Sequence, residues 1–143
     1  LLLEELGLEN QIRVGVLEGV SHSWNYVKVN GEYYNLDITN NKKFPYSVFL
    51  SADGYLEGYT SEEFEIDYSD YLEPFGYYTK RGMSARSKDH LVRLVSENGS
   101  GGYRLSKELV DSYKDLGEYL LYRLPNTSIM INGFGRVLYV SLD

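Results

Sequence analysis

Cysteine is absent from the chain. Its absence excludes disulfides and cysteine-ligated metal centres, and leaves the redox compartment undecided. Positive charge is scarce: 14 Lys and Arg stand against 21 Asp and Glu, a formal net charge of −7. That balance lacks the basic surface a phosphate backbone requires, so no nucleic acid is expected as a partner. No apolar run approaches the roughly 18 residues of a spanning helix, and no signal-peptide pattern opens the chain. No membrane span is therefore expected. Histidine occurs only at His22 and His90. Two separated histidines among scattered carboxylates make no metal-ligand spacing. Nor do DYSDYLE (67–73) and DGYLEGYTSEE (53–63) follow the calcium-loop pattern. Neither a metal nor another cofactor is expected, and His90 reads as a surface residue. The Gly-rich NGSGGY (98–103) precedes a strand pattern instead of a helix with Lys-Ser/Thr, which makes it a turn and not a phosphate loop.

What the chain does contain is ordinary for a folded protein: 43% hydrophobic and 24% charged residues over 143 positions. That suffices for one domain with a core, or for two small lobes. Tyrosine is the compositional oddity, with 15 copies. Tyr55, Tyr59, Tyr68, Tyr71, Tyr77 and Tyr78 crowd the acidic middle. They read either as cover for a small core with their hydroxyls kept wet, or as an aromatic wall that binds peptide or sugar.

The opening LLLEELGLE puts Leu2, Leu3 and Leu6 at helical spacing, with Gly7 as the stop. It begins inside a helix without Met, so a fragment of a longer chain is expected, with any leader lost. Strands are expected over 12–19 and through the stretch HSWNYVKVNGEYYNLDIT (22–39). Residues 40–80 read mostly as loop, with one short helix around Ser61–Phe64. Ser87 is placed to cap a helix running through Glu97, with Asp89 in its first turn, Leu91, Leu94 and Val95 on one face, and Gly99 beyond its end. A strand over Gly101–Leu105 follows. Ser106 opens a second helix with Leu109, Tyr113, Leu116 and Leu120 in a stripe ending before Pro125. SIMI, a turn at NGFG and RVLYVSL close the chain as a hairpin. The organisation expected is 1–75 as one unit and 76–143 as a small α/β lobe of two helices and a closing hairpin.

Asn30-Gly31 between alternating runs signals a two-residue type I′ hairpin. It pairs Val29 with Glu32 and Tyr26 with Asn35. Side chains alternate, so one face carries His22, Trp24, Tyr26 and Lys28 with Tyr33, Asn35, Asp37 and Thr39. The other, with Val27, Val29, Tyr34, Leu36 and Ile38, is the natural core face. His22 and Asp37 become diagonal neighbours, with Cβ atoms about 7–8 Å apart or somewhat less. A histidine oriented by an aspartate is half of a nucleophile–base–orienter triad, although the same pair also serves merely to tie two strands together. A one-residue slip would separate the two residues onto opposite faces. Ser23 points to the opposite face, and nothing supports Ser21 as a nucleophile.

The string HSWNYVKVNGEYYNLDIT, preceded by LLLEELGLE, resembles the transglutaminase-like superfamily of papain-like Cys-His-Asp enzymes over roughly residues 1–40. The resemblance implies an α+β fold, with an antiparallel sheet on a truncated N-terminal helix. It implies His22 as catalytic base, Asp37 as its orienting carboxylate, and Trp24 as an aromatic beside the site that contacts substrate; Trp24 also reads as a tryptophan packing the hairpin. The catalytic cysteine would stand several residues before Leu1, at a helix N-terminus, where dipole and His⁺ lower a thiol's pKa. The chain departs from the family pattern at Asn40 and Asn41, where many members carry a Trp. The function implied is acyl transfer or hydrolysis at amides of a protein or peptide substrate, inactive in a chain without cysteine. The alternative is a non-catalytic binding or scaffold module of the same fold. Lack of cysteine is compatible with a bacterial extracytoplasmic or cell-surface protein; neither localisation nor oligomeric state is legible.

Overall fold

A computed structural model describes residues 2–39, 44–110, 113–132 and 135–142. The chain is mixed α+β. A four-residue helix, α1 (Leu2–Glu5), ends at Gly7, whose φ of 73° supplies the left-handed stop. Three strands follow as a meander: β1 (Asn10–Leu17), β2 (Val20–Val29) and β3 (Glu32–Asp37). The β2–β3 register is the one predicted: Val29 opposite Glu32, Lys28 opposite Tyr33, Val27 opposite Tyr34, Tyr26 opposite Asn35 and Asn25 opposite Leu36. Asn30 and Gly31 have φ of 50° and 84°, as a type I′ turn demands. Glu18 and Gly19, expected to extend a strand, turn the chain in the same way, with φ of 48° and 82°.

Residues 44–80 hold more regular structure than their composition announces. β4 (Val48–Ser51) adds to the β3 edge, and a 3₁₀ turn covers Asp53–Tyr55. β5 (Tyr59–Thr60) pairs with β1, completing an antiparallel sheet of order β4-β3-β2-β1-β5. No helix forms at Ser61–Phe64. The Ser61 hydroxyl donates to the Val14 carbonyl and accepts from the Glu63 N–H, which holds that segment against the sheet as bends. Of the expected loop, residues 40–43, with Asn40 and Asn41, lie outside the described residues.

The back half runs α2 (Tyr77–Lys80), β6 (Ser84–Ala85), α3 (Lys88–Asn98), β7 (Gly101–Leu105), α4 (Lys107–Val110), α5 (Tyr113–Arg123), β8 (Thr127–Asn132) and β9 (Val137–Leu142). Its sheet has order β6-β7-β9-β8, with β6 and β7 parallel. Ser87 caps α3 as expected, accepting the His90 N–H at 3.1 Å. The second expected helix is present as α4 and α5, and residues 111–112 between them lie outside the described residues. The Ser106 hydroxyl donates to the Arg86 carbonyl, and its own carbonyl accepts from the Leu109 N–H. Part of the NGFG turn and the Tyr113 side chain lie outside the described residues.

Among the described residues two core clusters result. One gathers Leu91, Leu94 and Val95 of α3, Leu109, Leu116 and Leu120, and Tyr103, Leu105, Leu138 and Val140 of the sheet. Fully burying a Leu or Val contributes about 1.5–3 kcal/mol, so this cluster is the main hydrophobic stabiliser of the back half. The other gathers Trp24, Val48, Leu56, Tyr59 and Ile66. It lies on the His22 face of the first sheet. The expected core face is only partly covered: Val27 and Tyr34 are buried, but Ile38 is 63% exposed. The opposite face is buried as well, because the segment from β4 to Glu73 folds over the His22 side.

Candidate active site

His22 projects from β2 and Asp37 from the end of β3. The structure joins them: His22 Nε2 lies 2.6 Å from Asp37 Oδ2, with side chains 14% and 4% exposed. Two further donors converge on the same carboxylate. The Tyr59 hydroxyl donates to Oδ2 at 2.6 Å, and the Thr39 N–H donates to Oδ1 at 3.1 Å. Burial alone would push the Asp37 carboxyl up. The Tyr59, His22 and Thr39 hydrogen bonds outweigh it and hold Asp37 below the usual carboxylate range. For Tyr59, burial first and then the hydrogen bond and charge of Asp37 push the phenol far above its ordinary value, so it stays a donor.

An ionised Asp37 can only accept, so in the neutral ring the proton sits on Nε2 and the lone pair on Nδ1. The pair can therefore take a proton at Nδ1 and stabilise the resulting imidazolium against the carboxylate.

Trp24 backs this arrangement. Its ring lies parallel to that of His22, with centroids 6.0 Å apart and planes 20° apart, and edge-on to Tyr59 and Phe64. It is 3% exposed, and its Nε1–H donates to Asn35 Oδ1 at 2.9 Å. Trp24 thus stands beside His22 and packs the hairpin at once. Below it Asn35, itself fully buried, accepts from Arg13 at 3.0 Å and donates to Asp53 at 2.8 Å and to the Ser51 carbonyl at 3.0 Å. Arg13 closes the ring with an ion pair to Asp53 at 2.9 Å, its guanidinium 3.4 Å from the Tyr26 ring centre. Each buried polar group here has partners, which keeps the face carrying His22 rigid.

His22, Asp37 and Trp24 come together as the sequence predicts. His90 stays apart in the first turn of α3, where its Nδ1 accepts the Arg86 N–H at 3.1 Å. Among the described residues no group of three His, Asp or Glu side chains is placed to hold a metal ion. Sequence reasoning missed Tyr59, Arg13 and Asp53. Asn35 carried a signal, being an amide on the His22 face, whereas Tyr59 was one tyrosine among many. Gly15 opposes His22 across β1–β2. A Cβ there would lie 2.2 Å from the Thr60 carbonyl oxygen, so its glycine is what lets β5 cross close enough to deliver Tyr59.

The chain matches no protein-family model, and no match was found among curated proteins. Among the described residues no helix is long and apolar enough to cross a membrane.

Proposed function

We propose that His22 and Asp37 are the base and orienter of a transglutaminase-like Cys-His-Asp site, acting on amides of a protein or peptide substrate. The observation that carries this reading is the 2.6 Å contact of His22 Nε2 with an ionised Asp37 that Tyr59 and Thr39 also donate to. The chain has no cysteine, so the thiol is supplied from outside these residues. In the reaction, His22 Nδ1 takes the thiol proton and the thiolate attacks the amide carbon. The imidazolium returns the proton to the departing amine, leaving a thioester. Water as second nucleophile gives hydrolysis or deamidation, and an amine gives a cross-link. Asp37 orients the imidazole and stabilises its charged form throughout, while Trp24 supports the ring from behind.

The test uses the polypeptide that carries the residues preceding Leu1, and measures alkylation of its cysteine by iodoacetamide against pH. His22→Ala should slow labelling near neutral pH by roughly 10²-fold, the lower end of general-base contributions. Asp37→Asn should fall between this and the unsubstituted protein. Unchanged labelling in His22→Ala would overturn the assignment. A second reading, a non-catalytic binding or scaffold module with this fold, is favoured by the lack of any thiol in the chain. A polypeptide with no cysteine preceding Leu1 decides for that module.

A further inference from the structure

A second concave site lies in the back half, built around the edge of β7. It is a cleft of about 500 Å³ whose walls include Tyr46, Tyr77 and Tyr139. Tyr46 and Tyr77 stack in parallel, with centroids 4.7 Å apart and planes 13° apart. Tyr78 and Tyr103, both buried, close the floor. Three of the tyrosine hydroxyls are taken up by backbone: Tyr78 donates to the Tyr46 carbonyl, Tyr139 to the Pro45 carbonyl and Tyr103 to the Gly99 carbonyl, so these residues offer the cleft ring surface. Size and aromatic lining are those of a ligand site.

Two polar features give the cleft a chemistry. Although the chain carries a net charge of −7, the cleft lining includes the cation Arg81 and no carboxylate. The Arg81 guanidinium rests 5.2 Å from the Tyr77 ring centre and has no acidic partner among the described residues. The second feature is an open strand edge. Backbone groups of β7 alternate sides: the Leu105 N–H goes to Arg136 of the β9 side, and the Arg104 N–H to Met83 of the β6 side. Two residues back, Gly102 points the same way as Arg104. β6 pairs only with Arg104 and Leu105, so Gly102 lies beyond its end, in the cleft. In the β7–β9 ladder Leu105 is a bonded position, so the N–H and C=O of Gly102, three residues back, point away from β9 and past the end of β6. A Cβ on Gly102 would lie 3.3 Å from Val137, 3.4 Å from the Tyr78 hydroxyl and 3.5 Å from the Tyr139 ring, so the glycine is what lets these rings close over the strand beside that edge.

We propose that this cleft binds an extended peptide segment carrying a carboxylate. The peptide continues the sheet from β6 by pairing with Gly102, places apolar side chains against Tyr46, Tyr77 and Tyr139, and sets the carboxylate on Arg81. Strand addition supplies main-chain hydrogen bonds, the rings supply side-chain selectivity, and the guanidinium fork fixes register. A free C-terminus and an internal Asp or Glu present the same group to Arg81. The proposal is independent of any catalysis at His22.

The test is a titration of ¹⁵N-labelled protein followed by NMR. The probe is a pool of N-acetylated tetrapeptides, randomised at every position, with free C-termini. The expected result is saturable shifts of the Gly102 amide and the Arg81 Nε–H. Arg81→Gln should weaken binding about tenfold, corresponding to about 1.4 kcal/mol, without moving the Gly102 resonance in the unliganded spectrum. His22→Ala should bind as the unsubstituted protein does, which keeps this result separate from the catalytic one. A C-terminally amidated pool that binds tenfold more weakly identifies the terminus as the carboxylate. An amidated pool with one fixed Glu that restores binding identifies a side chain, and supports the proposal equally. Absence of a Gly102 shift with any pool would overturn it. So would affinity unchanged by Arg81→Gln, or the same shifts produced by a glucuronate oligosaccharide and by no peptide.

Discussion

Oδ2 of Asp37 accepts from two side chains, His22 and Tyr59, while Oδ1 takes the Thr39 N–H. These donors and the Thr39 hydroxyl, acting on a side chain that is 4% exposed, account for its depressed acidity and tie the site to stability. The sign follows from linkage. A carboxyl whose folded pKa lies below its unfolded value, about 3.9, contributes stability that is fully present above that unfolded value. It is lost as pH falls through the folded pKa. Asp37→Asn should therefore destabilise at pH 7, and the gap to the unsubstituted protein should close on acidification below about pH 3.9. Urea unfolding at a series of pH values measures this; a gap independent of pH would show that Asp37 is not held ionised by its donors. Tyr59→Phe removes one donor to a charged acceptor, a loss of about 1.5–3 kcal/mol. It should also raise the Asp37 pKa, read from the carboxyl ¹³C shift. His22 and Asp37 were legible from the sequence because a two-residue turn fixes register, and register fixes faces. Tyr59 was not, since its position depends on pairing with Leu17, far back in the chain, with no local signature.

Local chemistry settles some elements and tertiary packing settles others. The β2–β3 hairpin and α3 are of the first kind: Asn-Gly dictates a type I′ turn, and Ser87 with Gly99 brackets an apolar stripe. The segment from Val48 to Thr60 is of the second kind. β4 and β5 have four and two residues, too short for alternation to register, and each exists by pairing with an edge of the meander. The same blindness explains why burial of the His22 face, in addition to the expected one, was not foreseen. Alternation says which residues share a face, but not which face a later segment will cover. Ser61–Phe64, with no apolar repeat beyond a single turn and its Ser61 hydroxyl bonded to the Val14 carbonyl, bends along the sheet instead of forming a helix. Gly15 is where the meander and its cover meet. Gly15→Ala forces a methyl against the Thr60 carbonyl, where backbone and not a flexible side chain must yield. Overpacking of this kind costs about 1–3 kcal/mol. Because β5 carries Tyr59, the substitution should also loosen the Tyr59–Asp37 hydrogen bond. Faster exchange of the Thr60 amide together with a raised Asp37 pKa would show both effects; loss of stability with Asp37 unchanged would uncouple β5 from the site.

Arg104 holds the first sheet to the second. It is fully buried on β7, and its Nε donates to Glu73 Oε1 at 2.9 Å. Its Nη2 reaches the Ser51 hydroxyl at 2.5 Å, its Nη1 the carbonyls of Ser47 and Gly135, and its guanidinium carbon lies 3.9 Å from the Tyr55 ring centre. Glu73 in turn accepts the Ala52 N–H at 3.0 Å. One guanidinium therefore bonds to three separate segments, around residues 47–51, 73 and 135, and no stretch of sequence announces it. Burial raises the Glu73 carboxyl above its usual range, with the Arg104 charge opposing. Removing the cation alone strands a buried carboxylate, so Arg104→Met should cost about 3–5 kcal/mol at neutral pH. In that variant the Ala52 N–H alone of these partners still opposes burial, and the folded pKa of Glu73 rises further above its unfolded value. A raised carboxyl pKa means the folded state binds more protons, so stability is lost as pH rises through it and regained on acidification. The Arg104→Met defect should therefore shrink between pH 7 and pH 5. Adding Glu73→Gln should recover part of the stability at pH 7 and abolish that pH dependence. Chemical denaturation of the two single variants and the double variant at both pH values measures the coupling. A double variant as unstable as the sum of the singles would mean that Arg104 acts through the carbonyls and Tyr55, not through Glu73.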